Sequence, residues 1–443
     1  MVTANDLATV PAEIWGGSVE AWDGSVEAWD GSVEAANDKS FRRLNDADPW
    51  VVDVRPAREV LPGYRDNLVL TSGAPMPWEA YVGGQREALI GGALFEGLAA
   101  DRDEAIARFA DGSIEIGACH DYNAVGSLAG IYTASMPVFV VENRTHGNVG
   151  FCNFYEGKEP RRLNYGCYDE GVHERLEHVN TVLAPVVGEA IRRRGGIALK
   201  PMIARALRMG DEVHSRNAAA SILFNREILP SVLDMIEDSV PGVRETMLHL
   251  AENDYFFLRL SMAAAKASAD AMVVPGSTLV SAMAFSCRGF AIKLAGLGNT
   301  WFEGPPPIHQ GKLFAGHSED EITWMGGESP ITETVGLGGF AQACALSLQD
   351  YQGGSPEVMI ERNREMYEIT HGENSSYRIP LFGFRGTPTG VDARKVLDTA
   401  VLPVMDVGLA GRDGGQIGAG VIRAPRECFA AALDEHAKRY GQS

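Results

Sequence analysis

Between Asp169 and about Ala269 the sequence carries helix signals and no strand pattern, and this stretch most limits the folds open to it. His173–Arg194 is one long amphipathic run that Gly195-Gly196 stops. Pro201–Met209 puts Met202, Ile203, Ala206 and Leu207 on one stripe, with Pro201 in a first turn where no backbone N–H is needed. Leu229–Leu250 gives two short helices parted by Pro241-Gly242, and Tyr255–Ala271 is an Ala- and Met-rich helix ending at Pro275-Gly276. On either side, short apolar runs alternate with helices and turns. Before the helical block, Trp50–Val54, Asn67–Thr71, Ser113–Ile116, Pro137–Glu142 and Asn148–Cys152 are predicted strands, and Trp78–Ala100 and Asp101–Ala110 predicted helices. Gly91, Gly92 and Gly97 inside the first of those helices let another element approach closely. After the block, Phe290–Ala295, Ile379–Gly383 and Leu402–Met405 are predicted strands and Ala341–Leu348 a helix. The expected class is α+β and multi-domain, with two α/β regions flanking a helical middle domain. The expected boundaries are 1–37 for an N-terminal arm, 38–168, 169–270 and 271–443.

The arm is a tandem repeat, Gly-Ser-Val-Glu-Ala-Trp-Asp twice and then Gly-Ser-Val-Glu-Ala-Ala-Asn, over residues 17–37. Val19, Trp22, Val26, Trp29 and Val33 alternate three and four apart, as in a coiled-coil seam. Gly24 and Gly31 interrupt it, each at a cost of about 1 kcal/mol relative to Ala, so the repeat is not expected to stand alone or to carry chemistry. No uncharged apolar run is long enough for a membrane span, and no secretory leader is visible. Cys119, Cys152, Cys167, Cys287, Cys344 and Cys428 form no CxxC pair, which argues for a reducing, cytoplasmic setting and against a zinc ribbon. A formal charge of −20 disfavours nucleic acid as partner. It leaves small anionic substrates open, because local Arg and Lys can reverse the field in a cleft.

Three stretches concentrate chemistry. Arg208-Met-Gly-Asp-Glu-Val-His-Ser-Arg-Asn217 sets Asp211, Glu212, His214, Arg216 and Asn217 between two segments that favour burial. If the preceding helix continues through Gly210, Asp211 shares a face with His214, and Glu212 with Arg216. That is either an ion-paired helix surface or a general acid–base site. The loop from Cys119 to Ser127 follows a predicted strand. There His120 is a candidate acid–base or donor group, with Cys119, Gly126 and Ser127 candidates for substrate binding, although a buried structural role suits Cys119 better. The loop Glu328–Phe340 carries Glu333, Gly336, Gly338 and Gly339 ahead of the predicted Ala-rich helix. Its glycines either expose N–H groups to an anion or permit close packing. Asn374, in His371-Gly-Glu-Asn374, is a further binding candidate on a polar loop. No metal motif and no cofactor motif is present.

From about Ala36 to Phe429 the sequence resembles the AllG (YlbE) family. The resemblance rests on Gly92–Gly97, Cys119-His120, Val125–Gly130, Met209–Asn217, Ile331–Phe340, Gly372-Glu-Asn374 and Gln416–Gly420, all in order. Members often carry His where Tyr122 stands, Cys at Val213 and Asn at Ser215. The resemblance implies a subunit of an oxamate carbamoyltransferase, which interconverts oxalurate plus phosphate with oxamate plus carbamoyl phosphate in anaerobic allantoin breakdown. It implies FdrA-like (AllF) and AllH-like partner subunits, a small N-carbamoyl or amide anion and phosphate as ligands, and a homo-oligomer is expected. The alternatives are an independent amide or ureido hydrolase and a non-catalytic structural subunit. On the first reading His214 moves the proton with Asp211 orienting it, Glu212 holds Arg216, and His120 shares the cleft.

Overall fold

The computed structural model describes residues 31–441. Most of the repeat, including Val19, Trp22, Val26 and Trp29, lies outside them. Its end, from Val33, opens the helix Val33–Asp46, which Ser32 caps by accepting from the Ala35 N–H. Asn37 in that helix is fully buried and bonds Thr278 and Asp392.

The chain is an α+β protein with sheets before and after a helical middle. A five-stranded sheet has the spatial order Ala124–Val125, Val149–Asn153, Pro137–Asn143, Pro49–Pro56, Ile197–Ala198. Its strands pair antiparallel except for the first two. Leu68–Thr71 and Glu115–Ala118 pair in parallel, joined through the helices Gly83–Phe95 and Arg102–Ala110. After the middle come a three-stranded antiparallel sheet built on Val280–Phe285 and a four-stranded one built on Val404–Gly411 and Gln416–Arg423.

The helix Phe257–Asp270 is the fold's internal post. Residues 257–269 are all buried, including Arg259 and Lys266. It lies on the five-stranded sheet at Gly150, where a Cβ would stand 2.7 Å from Ala263 O and Ala267 N. The apolar cluster around it takes in Val51 and Phe139 from the sheet, Ile203 and Phe224 from the middle helices, and Ile331 from the later region. Burying such side chains is the main stabilising force, at roughly 1.5–3 kcal/mol each.

Several local expectations differ from the structure. Trp78–Ala80 is a single 3₁₀ turn and the helix starts only at Gly83, because Tyr81 and Val82 between them are extended. Gly91 and Gly92 do sit under close neighbours, Leu163 and Ile131, at 2.7 Å from an added Cβ. Ala341–Leu348 forms two short 3₁₀ turns rather than an α-helix. Ile379–Gly383 is the end of the strand Thr370–Ile379 followed by a turn. The helix containing Pro201 begins at Leu199 and stops at Arg208, since Gly210 takes φ +99°. Residues 211–217 are therefore a loop, and the expected shared helix faces do not form. No helix among the described residues is long and apolar enough to cross a membrane.

Candidate active site

The 211–217 loop is wound around one carboxylate. Glu212 accepts from the backbone N–H groups of His214 (3.2 Å), Ser215 and Arg216 (3.0 Å). Val213 is held at φ +66°, a costly setting for a β-branched residue that persists because these bonds over-determine it. Asp211 accepts from the Ala220 N–H at 2.8 Å, tying the loop to the helix Ala218–Glu237. Burial pushes its carboxyl up to about 6. Asn217 donates to His214 O at 2.7 Å.

The side chains pair otherwise than expected. His214 bonds Glu333, not Asp211, with Nδ1 2.7 Å from Oε1. Glu212 is used on backbone N–H groups, and Arg216 instead sits 3.5 Å from Asp211 and bonds Gly210 O. Arg216 is 41% exposed at the surface end of the loop and does not line the pocket that His214 lines.

Glu333 is fully buried and over-anchored. Its Oε1 also accepts from Gly339 N and Asp406 N, both at 3.1 Å, and its Oε2 from Thr332 Oγ1 at 2.8 Å. This fixes the imidazole with Nδ1–H toward Glu333 and leaves Nε2 with no protein partner among the described residues. Burial alone would depress the imidazole, but the Glu333 charge and hydrogen bond, with Asp406 behind, hold it above its usual value. Asp406 itself is raised, by burial first and Glu333 second.

The glycines of the 331–340 loop serve this arrangement by packing, not by binding an anion. A Cβ on Gly338 (φ +58°) would stand 2.2 Å from Glu333 Oε1 and 3.0 Å from His214 Cβ. One on Gly336 would meet Thr389, and one on Gly339 would meet Val404 O. The Gly339 N–H is already used on Glu333. Gly338→Ala is expected to lower stability by about 1–3 kcal/mol through overpacking and to displace the pair, as a drop in thermal midpoint would show.

His214 lines a pocket of about 90 Å³ together with Ser127, Ser329, Arg162 and Arg259, walled by tyrosines. Arg259 is 4% exposed; among the described residues it bonds Asn153 Oδ1 at 3.2 Å and lies beside the Cys152 sulfur. Arg162 bonds Tyr155 OH and Gly157 O and lies over the Tyr165 ring at 4.5 Å. The Nε–H of each arginine is buried without a partner, and neither has a carboxylate in ion-pair range among the described residues. Arg259, buried with no carboxylate in ion-pair range among the described residues, and the partly buried Arg162, near only the Glu156 carboxylate, leave donors that an anion could use.

The other candidates separate. His120 lines a different cavity, beside Lys266 and Lys293, so the shared cleft with His214 is not formed. Cys119 is fully buried, donates to Gly130 O and has its thiol pushed well up by burial. Gly126 gives its N–H to Glu328 at 2.7 Å, and its Cβ would collide with Gly130, so it is packing, too. Asn374 caps a turn through the N–H groups of Ser376 and Tyr377. Of the binding candidates, Ser127 alone reaches the pocket.

The profile of the family described as oxamate carbamoyltransferase subunit AllG matches residues 114–329. The Escherichia coli (strain K12) protein named oxamate carbamoyltransferase subunit AllG is 37% identical over 412 residues, 92% of this chain and 98% of its own. The chain belongs to the AllG family. The uncharacterized E. coli protein YahG is 37% identical over 410 residues, 92% of this chain and 86% of its own. A crystal structure of a conserved protein of unknown function from Enterococcus faecalis V583 superposes with a TM-score of 0.88 at 35% identity, covering 92% and 98% of the two chains. The segment matching the AllG profile holds Ser127, Arg162, His214 and Arg259, and stops before Glu333.

The arginines escaped sequence reasoning, but a signal was there. Arg259 and Lys266 stand seven apart, hence on one face, in a helix otherwise suited to complete burial. Among the described residues no group of three or more His, Cys, Asp or Glu is placed to hold a metal ion.

Proposed function

We propose that this chain carries the reaction centre of a carbamoyl transfer between a small N-carbamoyl carboxylate, of the oxalurate kind, and phosphate. The carrying observation is the pocket in which a Glu333-oriented His214 faces two arginines whose Nε–H groups lack partners. The names of the AllG relatives supply the reaction class and, through the word subunit, partner chains. FdrA-like and AllH-like subunits are the partners we infer.

A hydroxyl oxygen of phosphate attacks the carbamoyl carbon, and its proton passes to His214 Nε2. The charge developing on the carbonyl oxygen is met by donors of the pocket, and Ser127, which lines it, is the one we assign. The bond from the carbamoyl carbon to the amide nitrogen then breaks. His214 returns the proton to that nitrogen, releasing the amide and leaving carbamoyl phosphate. Arg162 and Arg259 hold the carboxylate and phosphate charges, and bidentate geometry suits both groups.

In the phosphorolytic direction His214 must start neutral. Its value is raised because Glu333 favours the charged ring, so at lower pH the protonated ring cannot accept. The rate should fall as pH drops, with an inflection above the ordinary histidine value of about 6.5. Glu333→Gln keeps an acceptor for Nδ1–H and removes the charge, so the inflection should move to lower pH. A pH profile of phosphate-dependent turnover by the assembled enzyme, showing no difference between the two proteins, would take His214 out of the proton transfer. Release of the amide without phosphate would instead mark a hydrolase.

A further inference from the structure

A second cavity, of about 300 Å³, opens where the helix Phe257–Asp270 passes the turn Cys119–Tyr122 and the strand Phe290–Leu294. It shares no lining residue with the His214 pocket. Two lysines buried to 3% and 6% side-chain exposure stand in its wall, Lys266 and Lys293. Lys266 bonds Asp270 at 2.8 Å, and Lys293 bonds Asn299 and lies 3.5 Å from Asp121. A third cation, Arg43, reaches the same space half-buried, and its guanidinium has no protein partner among the described residues.

Three cations and two carboxylates line the cavity; a third carboxylate, Glu328, lies behind the lysines, but burial raises it to about 8, so positive charge is in local surplus in a protein of formal charge −20. A purely structural ion-pair network would balance its charges and close the space around them. His120 adds a donor. Lys266 Nζ lies 3.2 Å from its Nδ1 and donates there, which places the ring hydrogen on Nε2, where no protein acceptor is found. Burial and the two lysines keep this ring well below the usual histidine value, hence neutral. Burial, with Lys266 adding to it, also lowers Lys293 to about 8, a shift that an incoming negative charge would reverse.

We propose that this cavity is a second binding site for a small oxyanion, the carboxylate or phosphate group of a compact metabolite, held by Arg43 and Lys293. It does not depend on the reading given to the His214 pocket. Arg259 and Lys266 serve the two sites from one helix face, a rise of about 10.5 Å apart.

Calorimetric titration of the full chain with inorganic phosphate, and separately with oxalate, tests it. The expected result is two sites in the unmodified chain. Arg43→Gln and Lys293→Gln should each weaken one of them about 10-fold or more and spare the other, while Arg259→Gln does the converse. Whichever anion binds the Arg259→Gln protein more tightly identifies the ligand group. Arg43→Gln decides the matter if Lys293→Gln fails to fold, because Arg43 leaves no buried partner stranded. Unchanged binding of both anions to Arg43→Gln, or no site that survives Arg259→Gln, would overturn the proposal.

Discussion

Replacing His214 with Asn is expected to lower turnover by about 10²–10⁴-fold, the range of a lost general acid–base group, with little change in KM. Nδ1 is committed to Glu333 at 2.7 Å, and Nε2 is the one ring atom left for a substrate proton. The same substitution strands a fully buried carboxylate, at a cost of up to about 3–5 kcal/mol. Lost activity alone would therefore not distinguish chemistry from folding. The double variant His214→Asn/Glu333→Gln does. Removing the second charge should recover most of the stability, and it also relieves Asp406, whose carboxyl Glu333 pushes up. Activity should stay lost. Recovery of turnover together with the thermal midpoint would show that the pair is structural.

Arg259→Lys is expected to raise KM for the anionic substrates by about 10–100-fold, the equivalent of one charge-assisted hydrogen bond to an anion. Lys keeps the charge but cannot present the planar fork. Arg259 is 4% exposed and bonds Asn153, with no carboxylate in ion-pair range among the described residues, so its guanidinium is held in place by packing between the helix and the sheet. Arg162→Lys should act in the same direction, with some loss of stacking on Tyr165. Steady-state kinetics of both variants, with thermal midpoints as control, checks this. Near-normal KM in both would leave the pocket without its anion.

The sequence made the α+β class and the helical middle legible because long amphipathic runs and paired strand segments each carry their own period. The strands around Val51 and Val140 and the helix through Ala263 are cases. It misplaced what depends on single backbone angles. Gly210 ends a helix that local propensity would extend, and residues 341–348 take 3₁₀ turns despite favourable composition. The site was half legible. His214 and Glu333 were visible as chemistry-bearing residues, but 119 positions separate them and only the fold pairs them. Arg162 and Arg259 looked like ordinary helix and loop charges because the absence of a counter-ion is a property of three dimensions. His120 and His214 sat in equally polar contexts, and nothing local shows that they face different cavities.

The most direct measurement is a crystal structure of the chain with a phosphonate analogue of carbamoyl phosphate bound. The account expects the phosphonate on the Nε–H groups of Arg162 and Arg259, with the carbon that stands for the carbamoyl centre within reach of His214 Nε2. An analogue seated only in the cavity of Lys266 and Lys293, with the His214 pocket unfilled, would contradict it.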